Sequence, residues 1–179
     1  MLFRSEMNYL VFDDIKLTFD SSVKRSKRFQ RATFGDGYSQ ILGDGLNTER
    51  ETWTCTTPPM VGQDAFSIEA ILKRSADTAI AWTPPDSTKT FKAQFTAGTL
   101  TLGYTNLSTL VLSGYTRPTN YTANLVSGVL TSVTIANSVP VTVTLTENPK
   151  SYLLRDGWQL NYIGPDLYQL SFELERIYT

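Results

Sequence analysis

Apolar and polar residues alternate along much of the chain, which is the pattern of β-strands with one buried face. The predicted strands are residues 15–19, 49–57, 78–82, 91–95, 158–162 and 167–177. In the last of these, Leu170, Phe172 and Leu174 form one face, and the other face is polar. A turn at 164–166 separates the last two segments, so we expect them to form a terminal hairpin.

One segment, residues 63–75, has the spacing of an amphipathic helix. Its apolar residues fall within about a third of the helical circumference; they are Ala65, Ile68, Ile71 and Leu72. Glu69 and Lys73 stand four residues apart in the favourable order. Phe66 lies off the apolar stripe, so we expect it to touch a second surface. The pattern therefore predicts a single helix that covers one sheet.

The middle of the chain has a different composition. Between residues 99 and 146 the only charged residue is Arg117, and threonine, serine, valine and leucine dominate. Its β-branched content favours strands over disorder. We therefore predict an inserted β-rich subdomain over 99–150, within a core domain formed by 1–98 and 151–179. Because charged residues are few, the exposed strand edges of a free monomer would be prone to pair with other chains. This suggests that neighbouring subunits cover these edges.

Two glycine-rich turns follow one another after residue 33. Asp36-Gly37 is a strong signal for a tight hairpin turn, because the two-residue type I′ turn requires a positive φ. Phe34 and Tyr38 flank this turn and are expected to pack together across it. Gly43-Asp44-Gly45 marks the second turn.

The residues of this region resemble the minor tail protein M family of long-tailed bacteriophages. The resemblance covers 24–97 and 157–178, with an amphipathic last strand, and leaves the middle segment without a counterpart. Its landmark residues are Phe34, Gly35, Asp36, Gly37, Tyr38 and Gln40 in the first turn, Gly45, Leu46 and Asn47 after it, and Trp82, Thr83, Pro84 and Pro85 in a later loop.

This resemblance implies a structural virion protein, with no enzymatic activity and no cofactor. Members of the family sit as a six-fold ring at the distal end of the tail tube, with a fold related to that of the tube. The implied partners are further copies of the chain, the tail-tube protein and other tail-tip proteins, and DNA passes through the channel. Assembly in the host cytoplasm is also implied. We therefore expect a β-sandwich or partly closed barrel with one covering helix and an inserted β subdomain.

Composition narrows the possible chemistry. The chain has no histidine, so it lacks the usual general base and the usual metal ligand. Its single cysteine, Cys55, cannot form an intrachain disulfide or a thiolate metal site, and its place in a strand favours a small buried residue. No phosphate-binding loop or EF-hand pattern is present. Carboxylate pairs such as Asp13-Asp14 are present, and a hydrolase built on two distant carboxylates is a third hypothesis that no pattern in the sequence favours.

Neither the net charge nor the hydropathy of the chain favours binding to nucleic acid or insertion into a membrane. The net charge is −1, and no run approaches the roughly 20 apolar residues of a membrane span, so no membrane insertion is expected. The N-terminus lacks the features of a signal peptide. The basic cluster over 24–31 is interpreted as a solvated strand edge, with a nucleic-acid patch as the alternative.

Two hypotheses concern particular side chains. Carbohydrate binding through Tyr104, Tyr115 or Tyr121 in the inserted subdomain is the alternative function. In a ring that continues the tail tube, Glu173 and Glu175 would face the lumen, where carboxylates repel passing phosphates. Ordinary outer surface is the alternative for these two residues.

Overall fold

The structure, a computed structural model, describes residue 12 and residues 15–35, 37–43, 48–75 and 77–178. Strands make up most of its regular structure, and the predicted mainly β class is confirmed. The chain forms two compact units. One is Met1–Trp82 together with Lys150–Thr179, and the other is Thr83–Pro149.

Fourteen strands and one α-helix lie in these described ranges. The first are β1 (Ser22–Lys27), β2 (Phe29–Thr33), β3 (Ser39–Gly43), β4 (Glu49–Thr56), β5 (Met60–Val61), α1 (Gly62–Arg74) and β6 (Ile80–Trp82). The second unit contributes β7 (Thr88–Gln94), β8 (Thr99–Thr101), β9 (Leu107–Leu112), β10 (Tyr121–Asn124), β11 (Val129–Ser132) and β12 (Pro140–Glu147). The chain returns to the first unit with β13 (Lys150–Gly164) and β14 (Leu167–Arg176).

The first unit is built on one antiparallel sheet with the strand order β1-β4-β14-β13-β6, and β5 pairs with β14. The sheet curls into a half-barrel, which agrees with the predicted partly closed barrel. Its strands alternate as expected, since Trp53 and Cys55 are buried while Thr52 and Thr54 point to the other face. The basic β1 is an edge strand, in agreement with the solvated edge predicted for it.

Helix α1 packs on this sheet. The four residues of its predicted apolar stripe are all buried in the core of the first unit. Glu69 forms an ion pair with Lys73 at 3.3 Å and also accepts a hydrogen bond from the Trp158 indole at 3.1 Å. The second contact ties the polar side of the helix to β13. The helix ends where the Ser75 amide donates to the carbonyls of the last turn.

The predicted terminal hairpin is formed by β13 and β14. Leu170, Phe172 and Leu174 are buried as expected, and the residues between them stay partly exposed. The register shifts between Leu154 and Trp158, so that three residues of β13 face Glu173 alone. This bulge, Arg155–Gly157, includes a glycine with φ of +101°.

The second unit contains two three-stranded sheets, β7-β12-β9 and β10-β11-β8. Val141, Val143 and Leu145 of β12 are buried and alternate with partly exposed threonines, which agrees with the β-rich structure predicted for this segment. Because β7 pairs with β12 along its whole length, residues 83–98 fall in this unit rather than in the first.

The strand predicted over 15–19 is wrong. These residues have no regular sheet pairing, and the chain turns at Phe19. Ile15 is buried as the alternation suggested, but Phe19 is fully exposed. The amide and hydroxyl of Thr18 both donate to the Thr56 carbonyl, at 2.8 and 3.1 Å, so tertiary contacts reverse the chain here and cut the strand pattern short.

Candidate functional site

A separate hairpin extends from the main sheet. It consists of β2 and β3, which pair with each other outside the five-strand order, and we call residues 29–43 the arm. The Arg28 amide donates to the Thr48 carbonyl at 2.7 Å and so carries the pairing of β1 with β4 into the arm. The large apolar side chains of the arm are 49% to 63% exposed; they are Phe29, Phe34, Tyr38, Ile41 and Leu42. Because an isolated two-stranded hairpin is only marginally stable in water, contact with a second surface would stabilise the arm.

The glycine-rich turn forms the tip of the arm. The Phe34 amide donates to the Tyr38 carbonyl at 2.8 Å, and the Gly37 amide donates to the Phe34 carbonyl at 3.0 Å. Three residues therefore lie between the paired residues Phe34 and Tyr38, whereas a type I′ turn has two. Gly37 is the third of them and has the left-handed conformation that is typical of the end of a three-residue loop. Its φ of +84° confirms the predicted positive φ. The rings of Phe34 and Tyr38 lie 6.0 Å apart, as predicted, and Asp36 lies outside the described residues.

The later landmark loop begins in the core. Trp82 is 2% exposed, and its ring makes edge contacts with Phe12, Trp53 and Tyr152 at centroid distances of 5.8, 5.3 and 5.2 Å. Trp82 is therefore a core anchor and is not open for ligand stacking.

The remaining landmark residues have different environments. Pro84 is buried, Thr83 is half-buried, and Pro85 starts a short 3₁₀ turn over Pro85–Ser87. Gln40 is exposed on β3 of the arm. Three of the predicted residues, Gly45, Leu46 and Asn47, lie outside the described residues.

A buried carboxylate lies at the base of the arm. Glu51 of β4 is 4% exposed. It accepts hydrogen bonds from the Tyr152 hydroxyl at 2.5 Å, the Trp53 indole at 3.0 Å and the Arg25 guanidinium at 3.1 Å. The Arg176 guanidinium lies 3.9 Å away. One side chain thus links β1, β4, β13 and β14 where the arm leaves the sheet.

The pKa of Glu51 reflects two opposed effects. Burial raises it, but the hydrogen bonds from Tyr152, Trp53 and Arg25 together outweigh burial and place the pKa below its ordinary value of 4.5. Sequence reasoning missed this residue. Its position in β4 could have revealed it. Glu51 lies two residues before Trp53 and four before Cys55, so all three side chains point to the same, buried face of the strand.

A second exposed apolar surface lies at the other end of the sheet. The rings of Phe66 and Tyr162 flank that of Tyr168, at centroid distances of 5.3 and 5.7 Å, and we call these three residues the tip cluster. Phe66 is 50% exposed and Tyr162 66% exposed. Tyr168 belongs to the sheet that α1 covers, so the contact of Phe66 with a second surface stays a prediction. A shallow groove containing the paired residues Val61 and Leu167 adjoins the cluster.

The carboxylates proposed to face a lumen lie on the polar face of β14. Glu173 and Glu175 are both half-buried. Glu173 accepts a hydrogen bond from the Thr54 hydroxyl at 3.4 Å, and the Arg155 guanidinium of the bulge lies 3.9 Å from its other oxygen. A cation therefore accompanies Glu173, which sequence reasoning did not find. The lumen assignment stays a prediction.

The three tyrosines considered for carbohydrate binding differ in exposure. Tyr121 is 2% exposed, and its hydroxyl accepts a hydrogen bond from the Leu112 amide at 3.2 Å, so it belongs to the core of the second unit. Tyr104 is half-buried, with the Lys89 ammonium 4.6 Å from its ring centre. Tyr115 packs against the same core. None of the three presents a fully open ring to a sugar.

Metal binding, membrane spanning and thiol reactivity have little support in the part of the chain that the structure describes. No group of three or more metal-ligating side chains forms a site there, and no helix there has the length and apolarity to cross a membrane. Cys55 is fully buried, and burial raises the pKa of its thiol to about 12. The prediction that Cys55 is a small buried residue is confirmed.

The half-barrel sheet, the exposed arm and the tip cluster define a mainly β protein with two exposed apolar surfaces in its first unit. Residues 14–113 match the phage minor tail protein family. This match covers more than half of the 179 residues, so the chain belongs to that family and is a structural tail protein of the virion. The matched segment includes the arm, α1 and both landmark regions. No match to a curated protein was found.

Proposed function

We propose that the protein forms a closed ring of identical copies at the distal end of the tail tube. There it joins the tube to the tip and receptor-binding complex. The observation that carries the proposal is the arm, whose apolar side chains are exposed and therefore call for a neighbouring subunit. Membership of the minor tail protein family supports a place in the tail, and the resemblance of the landmark residues implies six copies.

The proposed neighbours are the tail-tube protein on one side and other tip proteins on the other. DNA passes through the ring without specific binding, which is in keeping with a net charge of −1. The role is structural rather than catalytic, and it requires no cofactor. Assembly takes place in the bacterial cytoplasm before the tail joins the virion.

Light scattering and negative-stain imaging test the ring. We expect closed rings from the purified chain, either alone or once the tail-tube protein is added as a template. A chain that stays monomeric at high concentration in both conditions contradicts the proposal. A monomer in the first condition alone agrees with it, because the template then starts assembly.

Gold labelling of an epitope on the chain tests the position in the virion. The label is expected at the distal end of the tail. Labelling along the tube or at the head would show that the proposed location is wrong, independently of whether rings form.

A further inference from the structure

The arm and the tip cluster lie at opposite ends of one sheet. The arm continues beyond the paired residues Lys27 and Glu49, whereas the tip cluster lies beyond the paired residues Thr56 and Ser171. The eight residues of β4 separate these ends by about 23 Å of extended strand. Both surfaces belong to the first unit, and its hydrogen-bonded sheet separates the base of the arm from the tip cluster.

Neither surface is fully covered by the part of the chain that the structure describes. In the arm, Phe34 is 49% exposed and Ile41 61% exposed, and in the tip cluster Tyr162 is 66% exposed. Since the arm leaves the sheet at the far end, it does not fold back onto the tip cluster of the same copy. Exposed apolar clusters of this kind mark surfaces that bind other proteins.

The charges around the two surfaces are complementary. Arg28 and Arg31 are exposed on the arm side. Asp64 in the first turn of α1 and Asp166 in the β13–β14 turn flank the tip cluster, and Lys16 also lines the adjoining groove. Asp36 balances Arg31 within the arm itself, so the positive charge comes from the basic cluster over 24–31 at its base, and this cluster and the predominantly acidic rim favour each other in an encounter.

We propose that the arm of one copy docks on the tip cluster of the next copy. This inference rests on the proposed self-association and names the two surfaces that produce it. Because the contact joins two different surfaces, it is heterologous, and repetition generates a ring when the rotation closes. Every copy then has its arm and its tip cluster covered.

Cysteine cross-linking tests the contact directly. Cys55 is fully buried, and the pKa of its thiol is raised to about 12. We therefore expect the native cysteine to form no disulfide that would compete with the engineered ones. Copies carrying Ile41→Cys are mixed with copies carrying Tyr162→Cys under mild oxidation, with and without the tail-tube protein. We expect disulfide-linked dimers in the mixture and none in either variant alone. The matched control replaces Tyr162→Cys with Val126→Cys, at a position that is 77% exposed in the second unit.

Serine variants give the energetic test. Ile41→Ser and Phe66→Ser should each weaken self-association by about tenfold or more, because each removes an apolar side chain from the centre of the contact. Val126→Ser should leave it unchanged. Arg31→Glu should weaken assembly, and Asp64→Lys in the same chain should restore part of the loss. Circular dichroism and melting temperature confirm that the variants are folded.

The outcomes separate this contact from the ring itself. Rings that form normally with Phe66→Ser, and that give no cross-link in the mixture, overturn the contact and leave the ring proposal standing. Dimers formed by Ile41→Cys alone would indicate a two-fold contact between arms and also overturn it. The same holds if the arm cross-links solely to the tail-tube protein. A chain that never self-associates overturns both proposals.

Discussion

At the scale of single residues, Glu51 shows how this sheet keeps a charge in its interior. A buried carboxylate is costly unless hydrogen bonds and opposite charges replace its hydration. Tyr152, Trp53 and Arg25 supply those bonds, and Arg176 stands nearby. Since these four side chains come from four strands, the carboxylate fixes the sheet at the point from which the arm projects.

The pH dependence of stability should report on Glu51. Its pKa is lowered in the folded state, so its contribution is complete above the unfolded value near 4.5 and is lost as the pH falls through the folded value. Urea unfolding between pH 7 and pH 3 should show a fall in the free energy of unfolding below about pH 4.5. The fall should be smaller in Glu51→Gln; an identical acid profile in that variant would contradict the assignment.

Removal of the Glu51 carboxylate should also be costly at neutral pH. Glu51→Ala is expected to lower the free energy of unfolding by about 2–3 kcal/mol, because the buried Tyr152 hydroxyl loses this acceptor. The control is Glu49→Ala on the same strand. Its side chain is 59% exposed and pairs with an exposed lysine, so the change should stay within about 0.5 kcal/mol.

The turn of the arm gives a second test at this scale. Gly37→Val should destabilise the arm by well over 1 kcal/mol, since a β-branched residue is strained at a φ of +84°. No neighbouring atom would meet a Cβ at Gly37, so the cost comes from the backbone alone. Hydrogen exchange of β2 and β3, together with melting temperature and assembly, provides the measurement.

Gly35 offers a matched control in the same turn. A Cβ there also meets nothing within 4 Å, and Gly35 is not among the residues with positive φ. Gly35→Ala should therefore be nearly neutral. If Gly37→Val leaves exchange, melting temperature and assembly unchanged, the turn geometry is wrong.

At the scale of elements, periodicity located most of the structure of the first unit. The helix and the faces of β4 and β14 follow from local patterns, because each buries one side against the core. The strand expected over 15–19 failed since Thr18 bonds to Thr56, which is far away in sequence. The same patterns could not show that β2 and β3 leave the sheet, because an exposed hairpin and a sheet hairpin share one turn signal.

Two substitutions in α1 separate its two faces. Leu72→Ala should lower the free energy of unfolding by about 2–4 kcal/mol, because Leu72 is fully buried and leaves a cavity. Phe66→Ala should cost less than about 1 kcal/mol, since half of that side chain is exposed. Chemical unfolding of both variants is the measurement, and equal losses would show that Phe66 is a core residue rather than a docking residue.

At the scale of the whole molecule, association surfaces are assembled from distant parts of the sequence. The tip cluster joins Phe66 of α1 to Tyr162 and Tyr168 of the terminal hairpin, and no local pattern predicts that meeting. The landmark turn, by contrast, was readable because its glycines and aromatic residues are contiguous. The cation beside Glu173 is Arg155, which lies in the bulge of β13. A glycine inside a strand, here Gly157, is a sequence signal for such a bulge.

The lumen hypothesis makes a prediction for the assembled tail. Glu173→Lys should leave folding and ring formation intact and slow DNA ejection, most strongly at low salt, because an added cation holds phosphates. Arg155 stands beside this residue, so Glu173→Gln is the control that removes the carboxylate without adding charge. Ring images with Glu173 on the outer wall, or ejection unaffected at low salt, would refute the assignment.

The route by which the chain leaves and re-enters the first unit has an evolutionary consequence. Trp82 and Lys150 are register partners on β6 and β13, so the two junctions of the second unit are neighbours across one ladder. A turn of two residues is long enough to rejoin such strands. We therefore expect that the 83–149 segment can be exchanged as a unit. Recombination or protein engineering can insert a different domain at these junctions without changing the sheet from which the arm extends.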